Sequence, residues 1–513
     1  MSYHPFILPA FKRLLDRYHE ATKELVEATD EETTDSDGQP ISGGIEDFER
    51  QAIQNLLNRQ AYYLLDTFED AIAGTYEVGS FDDLVARRLK DIEFASHARL
   101  YAYRFDEAPS YWRQIYSDAQ VLTTFHILLK EVNKRTPHEQ RQAFLKALDE
   151  VVARLDQSII TAGGGRILDR AWIEGTIKQI DQVLRPISIF NFEEEFSELE
   201  PNGRPGLSRP CERHQGWNID EFERHMREGH ALAMATGTVG PEPIVFTDLT
   251  KDTWPALLDK KWVRPSYLLQ ETLGGRRLVP VEIGRSYAEA GWGQELLPFK
   301  EFLVRFIDRT IVGGDTTSSG ADSPGTDANK SVPQPGYLAQ HDLFRQIPAL
   351  REDIMIPDFC WASVPSFHPF DPAKVKPTLQ EPELNAWFGP AGTTTPLHTD
   401  LYNNLLCQVV GTKYVRLYPP QADEYMRPMP KNVNGVDMSN TSAIDLGLIE
   451  GWDECDDDFD EAADFIREVQ ESLEDVEYFE CILEPGDTLL IPVGWWHYVR
   501  SLSVSFSVSF WWN

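Results

Sequence analysis

Apolar residues in the first part of the chain recur at the spacing of amphipathic helices. One stripe consists of Ile53, Leu56, Leu57, Leu64, Leu65 and Phe68, and a second of Phe144, Leu145, Leu148, Val152 and Leu155. Thr136-Pro-His-Glu139 precedes the second stripe and is typical of a helix start, with a capping Thr, Pro at the first helical position and Glu three residues after the cap. We therefore predict a helical region over residues 1–205, with a flexible connection at residues 29–45.

Past about residue 240 the apolar runs shorten and the pattern becomes that of strands. Leu278–Ile283 predicts a strand, and residues 405–410 and 413–418 flank Gly411-Thr412, which predicts a two-residue hairpin. Residues 503–510 alternate serine with valine or phenylalanine, which predicts a strand with one apolar face. Short strands separated by Gly/Pro turns indicate a barrel or jelly roll, so the fold class is α+β.

Two polar stretches interrupt the second part of the chain, which we delimit as residues 206–513. Residues 313–335 are of low complexity and predict a disordered insertion. Residues 450–475 form an acidic insertion, within which Asp464 to Leu473 favours a helix.

The formal net charge of −35 is unusual for a chain of otherwise ordinary composition. Such a charge disfavours direct binding to nucleic acid or to anionic membranes. It either favours a basic protein or peptide partner or serves only to keep the protein soluble. The five cysteines include no CxxC pair, and neither a signal peptide nor an apolar run of about 18 residues is present. These features predict a reducing compartment, the nucleus and/or the cytoplasm.

Three residues predict a metal centre. His398 and Asp400 form an H-x-D pair whose side chains project to the same side of an extended segment. His497 follows a predicted strand, Thr488–Ile491, that would return beside the H-x-D strand in a cupin-type barrel. Two imidazoles and one carboxylate on one face of Fe(II) leave three positions open, two for 2-oxoglutarate and one for O₂.

The far carboxylate of 2-oxoglutarate then needs a cation. Lys413 begins a predicted strand that a barrel could direct inward, and Thr395, Asn404 and Tyr337 are candidate polar neighbours. A solvated strand lysine is the alternative interpretation, which the nearby triad disfavours.

Several ordered blocks resemble the JmjC-domain oxygenases, above all the branch called lysine-specific demethylase 8, regarded as arginyl hydroxylases. The blocks run from about residue 210 to the end of the chain and are Arg277–Gly284, Gly336–Phe344, Leu384–Pro390, Pro396-Leu-His398-Thr-Asp400, Gln408–Tyr418, Ile491–Arg500 and Ser505–Trp512. The resemblance implies a helical region followed by a JmjC double-stranded β-helix with flanking helices. The helical region resembles the family only in being helical, and it is a candidate site for binding a protein partner.

The resemblance also implies roles for individual residues. His398, Asp400 and His497 would be the iron ligands and the catalytic centre, while Lys413, Thr395, Tyr337, Asn404 and Trp511 would surround 2-oxoglutarate. Glu282, Trp292 and Trp387 would surround a target guanidinium, by charge pairing and cation–π contact. Core packing is the alternative interpretation for both tryptophans.

The sequence leaves three functions open. The first is hydroxylation of an arginine side chain in a protein. The second is demethylation of methyl-lysine in a histone by the same iron chemistry, and Glu282 favours the first over it because a methylammonium more often takes an aromatic cage. The third is a cupin-like scaffold without turnover, which an intact triad with Lys413 disfavours.

Overall fold

A computed structural model describes residues 9–31, 45–73, 80–103, 107–131, 137–165, 168–186, 194–285, 292–308, 334–365, 377–431, 437–453 and 459–513. The chain divides into two compact units. The first comprises Met1–Ile189 with Arg276–Leu278, and the second comprises Phe190–Gly275 with Val279–Asn513.

The first unit is built of helices, as the apolar stripes predict. The described helices are α1 (Pro9–Glu31), α2 (Ile45–Ala73), α3 (Ser80–Leu100), α4 (Ser110–Glu131), α5 (Pro137–Ala162) and α6 (Arg170–Leu184). Helix α4 is the most buried of these, because apolar side chains such as Trp112, Leu122 and Leu129 cover several of its faces. Its strongest packing partners are α3 and α5. A helix that is apolar on several faces is stable only in the centre of a bundle.

The second unit combines short helices with thirteen described strands. The helices are α7 (Ile219–Thr236), α8 (Pro255–Leu258), α9 (Pro265–Glu271), α10 (Phe299–Phe302), α11 (Leu343–Gln346), α12 (Pro348–Arg351), α13 (Leu446–Ile449) and α14 (Phe459–Leu473). The strands are β1 (Glu212–His214), β2 (Ile244–Phe246), β3 (Leu278–Ile283), β4 (Gly293–Pro298), β5 (Gly336–His341), β6 (Glu383–Gly389), β7 (Thr394–Thr399), β8 (Asn403–Val410), β9 (Lys413–Tyr418), β10 (Phe479–Leu483), β11 (Thr488–Ile491), β12 (Trp496–Ser501) and β13 (Ser505–Trp512). The predicted α+β class, with helices first and a jelly roll after them, is confirmed.

The strands form two sheets. The larger sheet has the order β1-β2-β11-β8-β13-β6-β5-β3-β4, and the smaller has the order β10-β9-β12-β7. Leu406 and Ile491 of the large sheet share one buried cluster with Val415 and Val499 of the small sheet, so the two sheets pack face to face. The other face of the large sheet packs on aromatic side chains of the short helices and loops, among them Phe222, Trp254 and Trp262.

Strand β13 has the predicted alternation, and both of its faces are buried. Phe506, Val508 and Phe510 belong to the cluster behind the large sheet. Ser505, Ser507 and Ser509 are also fully buried, and two of them hydrogen-bond to Gln408 while the third accepts from Trp387. A buried hydroxyl needs such a partner, so the serine side of the strand forms a polar layer inside the barrel.

The predicted hairpin between β8 and β9 is wrong. β8 pairs with β11 and β13 in the large sheet, whereas β9 pairs with β10 and β12 in the small sheet. The Gly411-Thr412 turn is therefore a corner at which the chain passes from one sheet to the other. Gly411 has φ +64° there, and a side chain at this position would overlap the carbonyl oxygen of Val504.

The two polar insertions have different outcomes. Nearly all of the predicted disordered stretch 313–335, like most of the predicted connection 29–45, lies outside the described residues. In the acidic insertion, α14 begins at Phe459, five residues before the predicted start. Among the described helices, none combines the length and the apolar character that a membrane crossing requires. Cys211, Cys360, Cys407 and Cys481 are buried free thiols.

Candidate iron and 2-oxoglutarate site

His398 and His497 lie on neighbouring strands of the small sheet. β7 and β12 are antiparallel, and His398 is the direct register partner of His497. The register shifts beyond this pair, where Pro396 lies in β7. Proline has no N–H to donate to a ladder, and a bulge at this position is the usual structural response. Two imidazoles about a hundred residues apart in sequence are thereby held side by side.

Asp400 follows the end of β7 and completes the triad. Its Oδ1 lies 3.7 Å from Nε2 of His398, and its Oδ2 lies 3.6 Å from Nε2 of His497. One ligand atom from each residue lies within 4.8 Å of the others, so a single ion between them can contact all three. Among the described residues, this is the one cluster of three or more metal-binding side chains.

The second nitrogen of each imidazole is held by backbone. Nδ1 of His398 donates to the carbonyl oxygen of Pro396 at 2.8 Å, and Nδ1 of His497 donates to that of Trp495 at 3.1 Å. A carbonyl can only accept, so both rings carry their proton on Nδ1 and present the Nε2 lone pair to the triad centre. Burial, with the neighbouring His398, lowers the pKa of His497 to about 4 and keeps this ring neutral at pH 7. Two imidazole nitrogens and a carboxylate are the donor set that suits Fe(II) with open positions, so the residues fit the ion.

Behind the triad lies a small inner cavity with one buried cation. Its wall includes Lys413, Tyr337, Thr395, Asn404, Trp387 and the triad itself, with Leu406, Ile491 and Val499. Lys413 is 1% exposed, and its Nζ donates to the Tyr337 hydroxyl at 3.2 Å. In the part of the chain that the structure describes, no carboxylate forms an ion pair with it, and burial lowers its pKa to about 7. A buried ammonium without a counter-ion is costly, so the cavity is suited to an anion.

Asn404 links the cavity to the triad. Its amide nitrogen donates to Oδ2 of Asp400 at 3.3 Å, and its Oδ1 is buried without a hydrogen-bond partner among the described residues. Thr395 is hydrogen-bonded to Tyr337, whose pKa is raised by burial. The polar groups predicted around Lys413 thus lie together, and Asn404 retains an unused acceptor.

An outer cleft of about 830 Å³ opens in front of the triad. Glu282, Trp292, Trp387 and Trp511 line this cleft, together with Glu383 and Tyr402. Trp511 was expected beside 2-oxoglutarate, but among the described residues it lines the outer cleft and not the inner cavity. Its ring lies nearly parallel to that of Tyr402, with 6.4 Å between the centroids. None of the described residues that line the cleft is a lysine or an arginine.

Glu282 and the two predicted tryptophans lie in different environments. Nε1 of Trp292 donates to Oε2 of Glu282 at 3.3 Å, and Trp292 is 36% exposed. Trp387 is less exposed, and its Nε1 donates to Ser509 at 2.9 Å. Burial raises the pKa of Glu282, while hydrogen bonds from Trp292 and Gln294 lower it. A cation in the cleft would favour the ionised carboxylate.

Sequence reasoning missed the residues that support the triad from behind. The carbonyl groups of Pro396 and Trp495, each two positions before its histidine, carry no side-chain signal. Ser509, which holds Trp387, was visible only as part of the strand alternation. Tyr402 and Glu383 become neighbours of the cleft only through the pairing of β13 with β6 and β8.

Comparison with known proteins places this site within a family. Residues 237–513 match the family described as "Cupin-like domain". The chain is 41% identical over 272 residues to "Lysine-specific demethylase JMJ30" of Arabidopsis thaliana, and 39% identical over 275 residues to "Lysine-specific demethylase 8" of Xenopus tropicalis. These matches cover 53% and 54% of this chain, and 50% and 49% of the two relatives.

A third relative is similar over most of its length. The chain is 30% identical over 458 residues to "Jumonji C domain-containing protein 5" of Drosophila melanogaster, which covers 89% of this chain and 92% of the relative. The residues that match the cupin-like domain, 237–513, include the triad and twelve of the thirteen described strands. With its cupin-like domain and these relatives, the chain belongs to the JmjC family of Fe(II)- and 2-oxoglutarate-dependent oxygenases.

Proposed function

We propose that this protein is an Fe(II)- and 2-oxoglutarate-dependent dioxygenase that hydroxylates an arginine side chain of a protein substrate. The observation that carries the proposal is the position of a buried Lys413, which pairs with no carboxylate among the described residues, in a small cavity directly beside a His-Asp-His triad. The triad provides a place for the ion, and Lys413 provides a place for the distal carboxylate of the cosubstrate.

The residues of this chain would act by binding and orientation. His398, Asp400 and His497 hold the ion, and Lys413 with Tyr337 and Thr395 holds the cosubstrate. When bound, Fe(II) and 2-oxoglutarate supply the activation of O₂ that hydroxylates a C–H bond, with release of succinate and CO₂. Leu406, Ile491 and Val499 line the same cavity and limit its access to water.

Arginine is the proposed target because of the carboxylate that faces the outer cleft. Glu282 lies 3.3 Å from the indole nitrogen of Trp292, and no described lysine or arginine of the lining competes for it. A guanidinium could pair with this carboxylate and lie against an indole face. Replacing Glu282 by alanine should therefore weaken the binding of arginine peptides and leave the binding of 2-oxoglutarate unchanged.

A second candidate function is demethylation of N-methyl-lysine. The names of two relatives, both "Lysine-specific demethylase", favour it. Hydroxylation of an N-methyl group gives a hemiaminal that releases formaldehyde, so the same centre could serve. Mass spectrometry separates the two: one added oxygen on arginine supports hydroxylation, while loss of methyl with formaldehyde supports demethylation.

The decisive experiment measures succinate from 2-oxoglutarate with Fe(II), for wild type and His398→Ala, on arginine and methyl-lysine peptide libraries. We expect turnover by wild type and none by the variant, with the added oxygen on arginine. Half-buried His214→Ala, on β1, is the matched control and should behave as wild type. Equal inactivity of wild type and His398→Ala, with no iron bound by either, would favour a non-catalytic scaffold.

Three further properties are part of this proposal. Residues 206–513 would form the oxygenase domain, and the helical unit would bind a protein partner. The substrate would be a basic protein or peptide, in keeping with the net charge of −35. The compartment would be the nucleus or the cytoplasm, where four buried thiols and Fe(II) stay reduced.

A further inference from the structure

Four charged residues that the proposed mechanism does not use form a network beside the outer cleft. Arg285 follows strand β3, which carries Glu282. Its guanidinium pairs with Asp445 and, at 2.5 Å, with Oδ2 of Asp453. Nη1 of Arg500 donates to both oxygens of Asp453 at 2.8 Å. Asp453 therefore bridges two arginines.

Two members of the network are held by elements of secondary structure. Asp445 caps α13, where its Oδ1 accepts from the backbone nitrogens of Gly447 and Leu448. Arg500 lies in β12, three residues after His497, and is 4% exposed. Its guanidinium also lies 5.9 Å from the ring centroid of Trp452.

The backbone of Arg285 is linked to the other strand that carries a histidine of the triad. Its carbonyl oxygen accepts from the hydroxyl of Thr394, the first residue of β7, at 3.1 Å. The preceding Gly284 has φ +129°, and its Cα faces the backbone of Trp292, so that a Cβ there would lie 3.7 Å from Cα of Trp292. Arg285 thus links the segment of Glu282 and Trp292 to both strands. Its carbonyl oxygen contacts β7, and its side chain reaches β12 through Asp453.

We propose that Arg285 is a positioning residue: through Asp445 and Asp453 it sets where Glu282 and Trp292 stand relative to the iron ligands, and so determines affinity for the cationic side chain of the substrate. The inference rests on the proposed function. Side chains that do not touch substrate can change such binding strongly, because small displacements of the contacting groups weaken it.

Gly447 allows the network to be disturbed without removing a charge. A Cβ on this glycine would overlap Oδ2 of Asp453, and the backbone nitrogen of Asp453 donates to the Gly447 carbonyl at 3.1 Å. Gly447→Ala should therefore displace Asp453 and reproduce the effect of Arg285→Gln.

The test compares steady-state kinetics of Arg285→Gln, Arg285→Lys, Gly447→Ala and the double variant Arg285→Gln/Asp445→Asn. The arginine peptide that wild type turns over fastest is the probe. For Arg285→Gln and Gly447→Ala, we expect KM for the peptide to rise on the order of tenfold and KM for 2-oxoglutarate to stay at the wild-type value. Arg285→Lys should give an intermediate peptide KM. The double variant should have a peptide KM no higher than that of Arg285→Gln, since its two changes break the same interaction.

Arg204→Gln is the matched control. Arg204 also pairs with two carboxylates, Glu200 at 2.7 Å and Glu484 at 2.9 Å, and it has no contact with the network. The inference is wrong if Arg285→Gln matches Arg204→Gln, or if it raises both KM values equally.

Amide exchange provides a readout that does not need turnover. In Arg285→Gln, the amides of Val281, Ile283 and Gly293 should exchange faster than in Arg204→Gln, while those of β11 should not change. Unchanged exchange around Glu282 would contradict the inference even if the enzyme is active. If wild type shows no turnover, the proposed function fails, and exchange alone then decides whether Arg285 positions this segment.

Discussion

Two nitrogen bases of the site are buried so deeply that their pKa values lie well below those in water. Burial lowers the pKa of His497 to about 4 and that of Lys413 to about 7. For the histidine this is an advantage, because a neutral imidazole can bind metal. For the lysine it is a cost, which an anionic ligand offsets by favouring the ammonium.

Lys413→Met should separate ligand binding from folding. Loss of a charge-assisted hydrogen bond of about 1.5–3 kcal/mol predicts a KM for 2-oxoglutarate that is higher by roughly 10- to 100-fold. The metal triad does not include Lys413, so iron affinity should be retained. Initial-rate kinetics and iron titration check both points, with exposed Lys251→Met as the control. An unchanged KM would contradict the assigned anion site.

The same substitution predicts a pH dependence of stability. Between the folded pKa of about 7 and the ordinary value of 10.5, the unfolded chain binds more protons than the folded one. Stability contributed by this position therefore rises with pH across that range, and the penalty is fully present below pH 7. Without ligand, Lys413→Met should unfold at a higher denaturant concentration than wild type at pH 7. The difference in the free energy of unfolding, on the order of several kcal/mol, should shrink towards pH 9.5. A gap independent of pH would contradict this account.

At the scale of elements, the corner between β8 and β9 determines whether Lys413 can reach the cavity. β8 belongs to the large sheet and β9 to the small one, and Lys413 is the first residue after the turn. The corner is tight because Thr412 donates its backbone nitrogen to Ser503 at 3.0 Å while Gly411 packs against Val504. A two-residue turn here changes sheets instead of closing a hairpin.

Gly411→Ala should destabilise the protein strongly. Its φ of +64° and the overlap with the Val504 carbonyl act together, so we expect the free energy of unfolding to fall by about 2–4 kcal/mol. Gly451→Ala is the matched control, because Gly451 has φ +68° and nothing within 4 Å. That control should lose only about 1 kcal/mol. Equal losses in urea denaturation would show that the close approach at the corner has no energetic effect.

At the scale of the whole molecule, negative charge is in excess, and it extends to the lining of the outer cleft. The formal charge is −35, and the described cleft lining contains Glu282, Glu383 and Asp400 but no lysine or arginine. Such a field raises the local concentration of cationic substrates and is screened by salt.

Salt should therefore act on the peptide more than on the cosubstrate. Raising ionic strength from about 0.05 M to about 0.5 M shortens the screening length to about 4 Å, so KM for an arginine peptide should increase. KM for 2-oxoglutarate should change less, because a buried pair with Lys413 is screened less. Kinetics at the two salt concentrations check this, and equal shifts in both KM values would contradict it.

Most of the architecture could be predicted from patterns that act locally. Helical stripes, alternating strands and the order of motifs were enough for the α+β class and for the family, because the burial of a periodic apolar face is a property of neighbouring residues. The residues of the triad could also be identified from the sequence as candidate metal ligands, because the H-x-D pair projects two ligand groups to one side. Their identity as candidates did not require coordinates.

Only the packed fold brings His497 into register with His398, and only the fold shows that Lys413 has no carboxylate partner among the described residues. It also moves Trp511 to the outer cleft, separates β8 from β9, and joins Arg285 to Asp445, Asp453 and Arg500. These relations link residues far apart in sequence. Local periodicity contains no information about which distant strands become neighbours, so pairing and burial had to be read from the tertiary structure.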